Sequence, residues 1–171
     1  FIVGDTGIVF RTSNGGSLWS RKTTNVSNTL TSCAVRDSIV LAAGLYGTLV
    51  RSSNYGETFQ IVNPNNNNYL FDVMFKDANT AFIAGAYGTI LRSTNAGLSW
   101  SGTTTSTNRW FYSISFGDAS TGFASGDYGN IYKTTNGGSS WTAYGTSTSE
   151  FQYAIQAFNV NDIISVGNKG T

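Results

Sequence analysis

The chain repeats one sixteen-residue phrase four times at a nearly constant interval. The copies are GDTGIVFRTSNGGSLW from Gly4, GLYGTLVRSSNYGETF from Gly44, GAYGTILRSTNAGLSW from Gly85 and GDYGNIYKTTNGGSSW from Gly126, and a fifth copy starts at Gly167. The first glycines of successive copies lie 40, 41, 41 and 41 residues apart. A fixed period near 40 residues is typical of proteins built from stacked, structurally equivalent units. The repeat therefore constrains the fold far more than it constrains the activity.

Each repeat predicts a unit of four short strands. In the third copy, apolar or β-branched runs at 70–76, 80–84, 89–92 and 99–103 are separated by turn residues. No segment has the 3.6-residue periodicity of an amphipathic helix. Four short strands joined by turns in every repeat predict an all-β fold, a β-propeller of four-stranded antiparallel blades with about 41 residues per repeat.

The register of the repeat divides the chain into blades. We interpret residues 1–171 as a single β-propeller segment with a partial blade at 1–22, complete blades at 30–62, 70–103 and 111–144, and a partial blade at 153–171. About four blades are present, and we expect the segment to be part of a longer propeller. Sheets that are open at both ends expose strand edges and apolar faces. We expect the remaining blades of the parent chain, or another copy of it, to cover them.

The turn after the first strand of each blade carries a polar residue at one repeat position. A short carboxylate or amide side chain there can accept hydrogen bonds from backbone amides two residues further on. We therefore predict the same side-chain-capped turn in four blades, at Asp37, Asp77, Asp118 and Asn159.

The connection between the third and fourth strands follows the pattern Ser/Thr-x-Asn-x-Gly-x-x-Trp/Phe. The Asn side chain can accept hydrogen bonds from turn amides, and the Gly can adopt a left-handed backbone. The aromatic side chain is suited to fill the gap between neighbouring sheets. The pattern residues are Thr12, Asn14, Gly16 and Trp19; Ser52, Asn54, Gly56 and Phe59; Ser93, Asn95, Gly97 and Trp100; and Thr134, Asn136, Gly138 and Trp141.

This pattern resembles the Asp-box, or bacterial neuraminidase repeat, with Asn in the Asp position. With the preceding G-x-x-G, the longer pattern is similar to the repeats of the photosystem II stability/assembly factor family. The resemblance covers essentially the whole chain. Related repeats occur in sialidases, xyloglucan hydrolases, sorting receptors and many secreted bacterial proteins. In those relatives the box lies on the rim, away from the ligand face, which implies that the boxes here are structural.

The opposite face of the propeller is the candidate ligand face. It carries the hairpins between the second and third strands and the loops between blades, and both place aromatic residues at equivalent positions. Aromatic side chains around such a face could stack on a peptide or on sugar rings, or they could simply pack blade against blade. The candidates are Tyr46, Tyr87 and Tyr128 in the hairpins, Tyr69, Trp110 and Phe151 in the loops, and Arg109 and Asp127 beside them.

Composition excludes several classes of partner. Charged residues make up 11% of the chain and the formal net charge is +1, so the basic field typical of nucleic-acid binding is missing. No apolar run approaches the roughly 18 residues of a membrane helix. A surface of Asn, Thr, Ser and Gly is common in exported proteins, and we expect a secreted or cell-surface protein whose partner is a protein or a glycan.

The sequence does not favour catalysis. It contains no histidine, and a glycosidase needs two carboxylates about 5–10 Å apart across its substrate. We predict no catalytic residues, no metal site and no cofactor, because no acid is singled out among Asp5, Glu57, Asp72, Asp127, Glu150 and Asp162. The main hypothesis is a binding or structural module. The alternative is part of a sialidase-like or xyloglucanase-like hydrolase whose catalytic acids lie partly outside this segment.

Overall fold

The computed structural model describes residues 1–170 and consists of seventeen strands in five antiparallel sheets. The remaining regular elements in this range are three-residue 3-10 turns. None of the helical segments in residues 1–170 has the length and hydropathy needed to cross a membrane. The sheets are the blades of a β-propeller, as the repeat predicted.

The strands of each blade are consecutive in the sequence, and each strand pairs with the one that precedes or follows it in the chain. Blade I contains β1 (Ile2–Val3), β2 (Val9–Arg11) and β3 (Ser20–Lys22). Blade II contains β4 (Leu30–Arg36), β5 (Ile39–Gly44), β6 (Leu49–Ser52) and β7 (Gln60–Ile61). Blade III contains β8 (Leu70–Phe75), β9 (Ala81–Gly85), β10 (Ile90–Ser93) and β11 (Ser101–Gly102). Blade IV contains β12 (Phe111–Phe116), β13 (Gly122–Gly126), β14 (Ile131–Thr134) and β15 (Thr142–Ala143), and blade V contains β16 (Gln152–Ala157) and β17 (Ile163–Gly167).

The hydrophobic core lies between blades rather than within them. First strands of successive blades pack side by side, β4 on β8, β8 on β12 and β12 on β16, and form the inner wall. Between blades II and III, for example, Leu41 and Leu49 of blade II pack with Ile83 and Trp100 of blade III. Each blade therefore depends on its neighbours for burial of its apolar faces, as expected for a repeat protein.

The box between the third and fourth strands is held by side-chain hydrogen bonds. In blade III, the buried Ser93 hydroxyl accepts the amide of Gly97 (2.9 Å) and donates to Asn95 Oδ1 (2.9 Å). Asn95 Oδ1 also accepts the amide of Ser99 (3.0 Å). The same hydrogen bond from the glycine amide to the Ser or Thr hydroxyl, at 2.9–3.0 Å, recurs in the other three boxes.

The box glycine and the box aromatic residue form the contact with the preceding blade. A Cβ atom added to Gly97 would lie 2.5 Å from Leu41 Cδ2 of blade II. Phe1 covers Gly56 and Phe82 covers Gly138 in the same way. The glycine is therefore required both for its left-handed backbone and for the side chain that lies over it.

The aromatic residue of each box closes that contact when a preceding blade is present. Phe59, Trp100 and Trp141 are 6%, 5% and 3% exposed, whereas Trp19 of blade I is 39% exposed. Trp141 meets Phe82 of blade III edge-to-face, with ring centroids 6.3 Å apart. The box aromatic residue is therefore buried where another blade precedes its own, and it is partly exposed in blade I.

Asp72 joins three blades on the inner wall. Its carboxylate accepts the Ser32 hydroxyl of blade II (3.0 Å), and the Ser113 hydroxyl (3.1 Å) and Ile114 amide (3.0 Å) of blade IV. Burial raises the pKa of Asp72, and the hydrogen bonds, which favour the charged form, offset only part of that effect.

The capped turn after the first strand forms in three blades but not in blade II. Asp77, Asp118 and Asn159 accept amides two and three residues further on. The hairpin of blade II is shorter: Arg36 pairs directly with Ile39, which leaves a two-residue turn, and Asp37 adopts a left-handed φ of 52°. The prediction of a capped turn at Asp37 is therefore wrong, and the shortened hairpin accounts for the single 40-residue step in the repeat.

Two arginine residues at the same repeat position, Arg11 in β2 and Arg51 in β6, contact the next blade. The Arg51 guanidinium donates to the Ala96 carbonyl of the next box (2.8 Å), and Arg11 pairs with Glu57 of the next blade. Burial lowers the pKa of Arg51. The Arg11 and Arg51 side chains are therefore both engaged with the next blade.

Removal of the box hydroxyl should destabilise the fold measurably. Ser93→Ala leaves the buried Gly97 amide without its acceptor, which costs about 1–3 kcal/mol of unfolding free energy. Thr94→Ala, at the exposed neighbouring position, should change it by less than about 0.5 kcal/mol. Urea denaturation measures both variants, and equal effects would contradict the structural role of the box.

The opposite pKa directions of Asp72 and Asp118 predict opposite pH dependences. Burial raises the pKa of Asp72, so its contribution to stability becomes less favourable as pH rises between the unfolded-state and folded-state pKa values. Backbone hydrogen bonds from Thr121 and Ser120 lower the pKa of Asp118, so its contribution is present above the unfolded-state pKa and is lost as pH falls through the folded-state pKa.

Thermal melts of Asp72→Asn and Asp118→Asn across acidic to neutral pH test these signs. Relative to wild type, the Tm of Asp72→Asn should rise as pH increases, while that of Asp118→Asn should fall. The two variants serve as controls for each other, and slopes of the same sign would refute the assignment.

Candidate functional site

In blades II, III and IV, the hairpin between the second and third strands presents one tyrosine to solvent. Tyr46, Tyr87 and Tyr128 are 61%, 61% and 58% exposed and adopt left-handed φ angles of 57°, 54° and 51°. A left-handed conformation is unfavourable for a side chain with a Cβ atom. The left-handed conformation is stabilised by a hydrogen bond from the following glycine to the next inter-blade loop. In blade III, for example, the Gly88 amide donates to the Arg109 carbonyl (2.6 Å).

Each hairpin tyrosine contacts the aromatic residue of the next inter-blade loop edge-to-face. Tyr46 meets Tyr69 with ring centroids 5.0 Å apart. The equivalent pairs are Tyr87 with Trp110 at 5.8 Å and Tyr128 with Phe151 at 5.2 Å. Edge-to-face contacts of this kind contribute about 0.5–1.5 kcal/mol beyond the area they bury. The structure thus brings the six predicted aromatic candidates together in three pairs, at the junctions of blades II and III, III and IV, and IV and V.

A third row of aromatic residues, which sequence reasoning missed, connects these pairs. In the pairing of the first and second strands, Phe71, Tyr112 and Tyr153 each occupy an extra, bulged position. Phe71 contacts Trp110 (5.6 Å) and Tyr112 (5.3 Å), and Tyr112 contacts Tyr153 (5.4 Å) between ring centroids. A bulge redirects a side chain relative to strict alternation. The sequence signal that could have identified these residues is the recurrence of an aromatic side chain at one repeat position.

Together these nine side chains form one continuous network, which we call the aromatic face. Its members are Tyr46, Tyr69, Phe71, Tyr87, Trp110, Tyr112, Tyr128, Phe151 and Tyr153. Hydrogen bonding with the Tyr46 hydroxyl raises the pKa of Tyr69, and burial raises that of Tyr112. Both hydroxyls therefore remain protonated, neutral hydrogen-bonding groups at physiological pH.

The charged residues on this face differ in their exposure and in their contacts. The exposed Arg109 guanidinium stacks over the Tyr128 ring, 4.6 Å from its centroid, as in a cation–π contact. Glu150 forms an ion pair with Lys169 (2.9 Å), which raises the pKa of Lys169. Asp127 lies beneath the face, 9% exposed, and accepts Asn130 Nδ2 at 3.3 Å. Of the two predicted charged candidates, Arg109 is available to a ligand and Asp127 is mostly covered.

The acidic residues of this face are individually engaged. Besides the Glu150 and Asp127 contacts, Asp5 accepts the Thr29 hydroxyl at 2.8 Å. Within residues 1–170, no group of three or more His, Cys, Asp or Glu side chains is placed to hold a metal ion. The arrangement is chemically suited to contact through rings and one guanidinium.

Comparison with known proteins places the chain among Asp-box propellers. The structure of YCF48 bound to D1 peptide is similar to it with a TM-score of 0.71 and 14% identity, over 90% of this chain and 52% of that one. YCF48 from Cyanidioschyzon merolae gives a TM-score of 0.69 and 20% identity, over 90% and 54%. An ancestral GH74 enzyme gives 0.73 and 25%, over 85% and 22%.

The lengths of these proteins differ from that of the chain. It spans about half of each YCF48 chain and about a fifth of the GH74 enzyme. None of the curated proteins matches it in sequence.

A family model matches the central blades. The model described as photosynthesis system II assembly factor YCF48 matches residues 46–131, just over half of the chain. The matched region contains two complete boxes and two pairs of the aromatic face. The chain therefore belongs to the photosynthesis system II assembly factor YCF48 family of β-propeller repeats.

Proposed function

We propose that the chain is a non-catalytic binding module whose aromatic face holds a segment of a protein partner. The observation that carries this proposal is the continuity of the nine-ring network across three blade junctions, with three rings more than half exposed. A row of rings held in place by backbone hydrogen bonds offers contact area with little conformational entropy to lose on binding.

The chemistry of the face favours a peptide over other ligands. Tyr, Trp and Arg are the residue types that contribute most to protein–protein interfaces. Arg109 adds a cation whose N–H groups can donate hydrogen bonds to a carboxylate or carbonyl group while its guanidinium stays over the ring of Tyr128. The structure of YCF48 bound to D1 peptide supports a peptide-binding role for this kind of propeller.

We further propose that the module acts outside the cytoplasm, in a secreted or cell-surface protein. The support is compositional: few charges and a surface of Asn, Thr, Ser and Gly. Two less favoured roles are compatible with the same location. The rings could bind a glycan, or the module could be a structural component of an extracellular assembly.

The alternative is that the chain is part of a glycoside hydrolase. The likeness to a GH74 enzyme at 25% identity supports this alternative. Against it, Asp5, Asp127 and Glu150 of the ligand face are each bonded to a neighbouring side chain. A hydrolytic pair would need one carboxylic acid free to protonate a leaving group and one carboxylate free to act as a base or nucleophile.

Substitution of the hairpin tyrosines should weaken binding while the hairpin turns remain in place. Asn tolerates the left-handed backbone at these positions, so the triple variant Tyr46→Asn/Tyr87→Asn/Tyr128→Asn removes the rings and preserves the turns. Peptides selected from a phage-displayed library on the wild-type chain should bind the triple variant at least about tenfold more weakly, equivalent to 1.4 kcal/mol. Titration calorimetry measures the affinities.

Tyr55→Asn is the matched control. Tyr55 is also 61% exposed with a φ of 59°, but it lies in the box turn on the other face. Equal weakening by both changes would contradict the assignment of the face. Binding restricted to glycans on an array would favour the glycan variant, and release of reducing sugar from xyloglucan would favour the hydrolase.

A further inference from the structure

The main-chain groups around the aromatic face are bonded within and between blades. In residues 85–89, which form the hairpin of blade III, four amides donate to main-chain carbonyls at 2.6–3.1 Å, those of Gly85, Ala86, Gly88 and Thr89. In the following loop, the Arg109 amide donates to the Thr107 hydroxyl (3.1 Å) and the Trp110 carbonyl accepts the Asp127 amide (3.2 Å). A peptide that adds to a sheet as a further strand needs an edge of free N–H and C=O groups. This face is therefore unsuited to strand addition.

The groups that the face offers to a ligand are rings and hydrogen-bond donors. Tyr87 and Tyr128 carry phenolic hydroxyls on rings that are more than half exposed, and the exposed Arg109 guanidinium lies over Tyr128. A guanidinium only donates hydrogen bonds, and each phenol carries one O–H donor. The carboxylate of Asp127, in contrast, is mostly covered. A complementary ligand supplies apolar surface and carbonyl acceptors, and it brings few donors of its own.

The hairpin turn does not itself require a tyrosine. Thr6 occupies the equivalent position of blade I and adopts the same left-handed backbone, with a φ of 55°. The three tyrosines bear the cost of this conformation, about 1–2 kcal/mol each. Because each side chain is more than half exposed, packing on the loop residues accounts for only part of each ring. Backbone strain of this kind is concentrated at binding sites.

The rings of the face differ in exposure along the row of blades. Between the exposed hairpin tyrosines lie two partly buried rings, Phe71 and Tyr112. Phe71 contacts Tyr69 (6.4 Å) and Trp110 (5.6 Å), and Tyr112 contacts Trp110 (6.4 Å) and Phe151 (6.3 Å), between ring centroids. Each of these two rings thus joins the aromatic pairs of neighbouring junctions. The result is a corrugated surface, with exposed rings at successive junctions and less exposed rings between them.

We propose that the segment held by the aromatic face is proline-rich and binds in the polyproline II conformation, an inference that rests on the proposed function of this face. Proline has no backbone N–H and brings no donor to a face that offers mainly donors. Polyproline II has no internal hydrogen bonds, so its carbonyls are free to accept from the tyrosine hydroxyls and from Arg109. It repeats every three residues, and such segments dock on aromatic-lined grooves at a low entropic cost. A glycan would instead bring many hydroxyl donors.

Selection of peptides from a random phage-displayed library on the wild-type chain tests this inference separately from the proposed function. Peptides that bind the wild type and lose affinity for Tyr46→Asn/Tyr87→Asn/Tyr128→Asn should contain several times more proline than the unselected library. Tyrosine-dependent peptides without enrichment in proline would overturn this inference and leave the proposed function standing. Failure to obtain any tyrosine-dependent peptide would overturn both.

Removal of hydroxyl donors provides a second test. The double variant Tyr87→Phe/Tyr128→Phe keeps the rings, and it should bind the selected proline-rich peptides about threefold to tenfold more weakly, since at least one hydrogen bond is lost. Tyr55→Phe, on the box turn of the other face, is the matched control and should bind like wild type. Titration calorimetry measures the affinities, and equal affinities for the double variant and the control would contradict the donor role.

Substitution within the tightest-binding peptide tests the role of its prolines. Alanine in place of the prolines restores the N–H groups and should weaken binding. N-methylalanine, which lacks the N–H as proline does, should recover part of the affinity. A peptide that binds equally well with alanine at these positions would overturn the proposal.

Discussion

The fit of one side chain over the box glycine of the next blade is the contact on which the rest of this structure depends. Leu41 over Gly97 and Phe82 over Gly138 leave no room for a Cβ atom. The Ser93 hydroxyl holds the turn that presents Gly97, and Trp100 closes the contact from the side. Each short sheet would be marginal alone, so this contact converts a series of weak sheets into one stack.

The same stacking determines what the opposite face can do. Since the blades are held in a fixed register, residues at one hairpin position and one loop position of each repeat meet at the blade junctions. Tyr87 and Trp110 come from different blades and touch because the blades do. The proposed binding surface is therefore assembled from several blades, and its hairpin residues can be changed without altering the box on the other face.

The sequence was sufficient for the four-stranded blades and for the repeat positions of the boxes and of the six aromatic candidates, because all of these follow the repeat period. It was insufficient where a local backbone change intervenes. Alternation along a strand does not place Phe71, Tyr112 and Tyr153 on the ligand face, and only the bulge does so. The two-residue hairpin at Asp37 replaces a capped turn because one residue fewer is available. The Asp127 carboxylate accepts a hydrogen bond from Asn130, whose position is occupied by Thr48 and Thr89 in the other complete blades, so the repeat does not predict this contact.

The most direct test of the blade contact compares Gly97→Ala with Gly16→Ala. Both glycines have left-handed φ angles, 82° and 90°, so the backbone strain of about 1 kcal/mol is common to both. Only at Gly97 does the new methyl group meet a neighbouring blade, through Leu41. We predict that urea denaturation will show a loss of unfolding free energy larger by about 1–3 kcal/mol for Gly97→Ala. Equal losses for the two variants would contradict the role of the box glycine in joining blades.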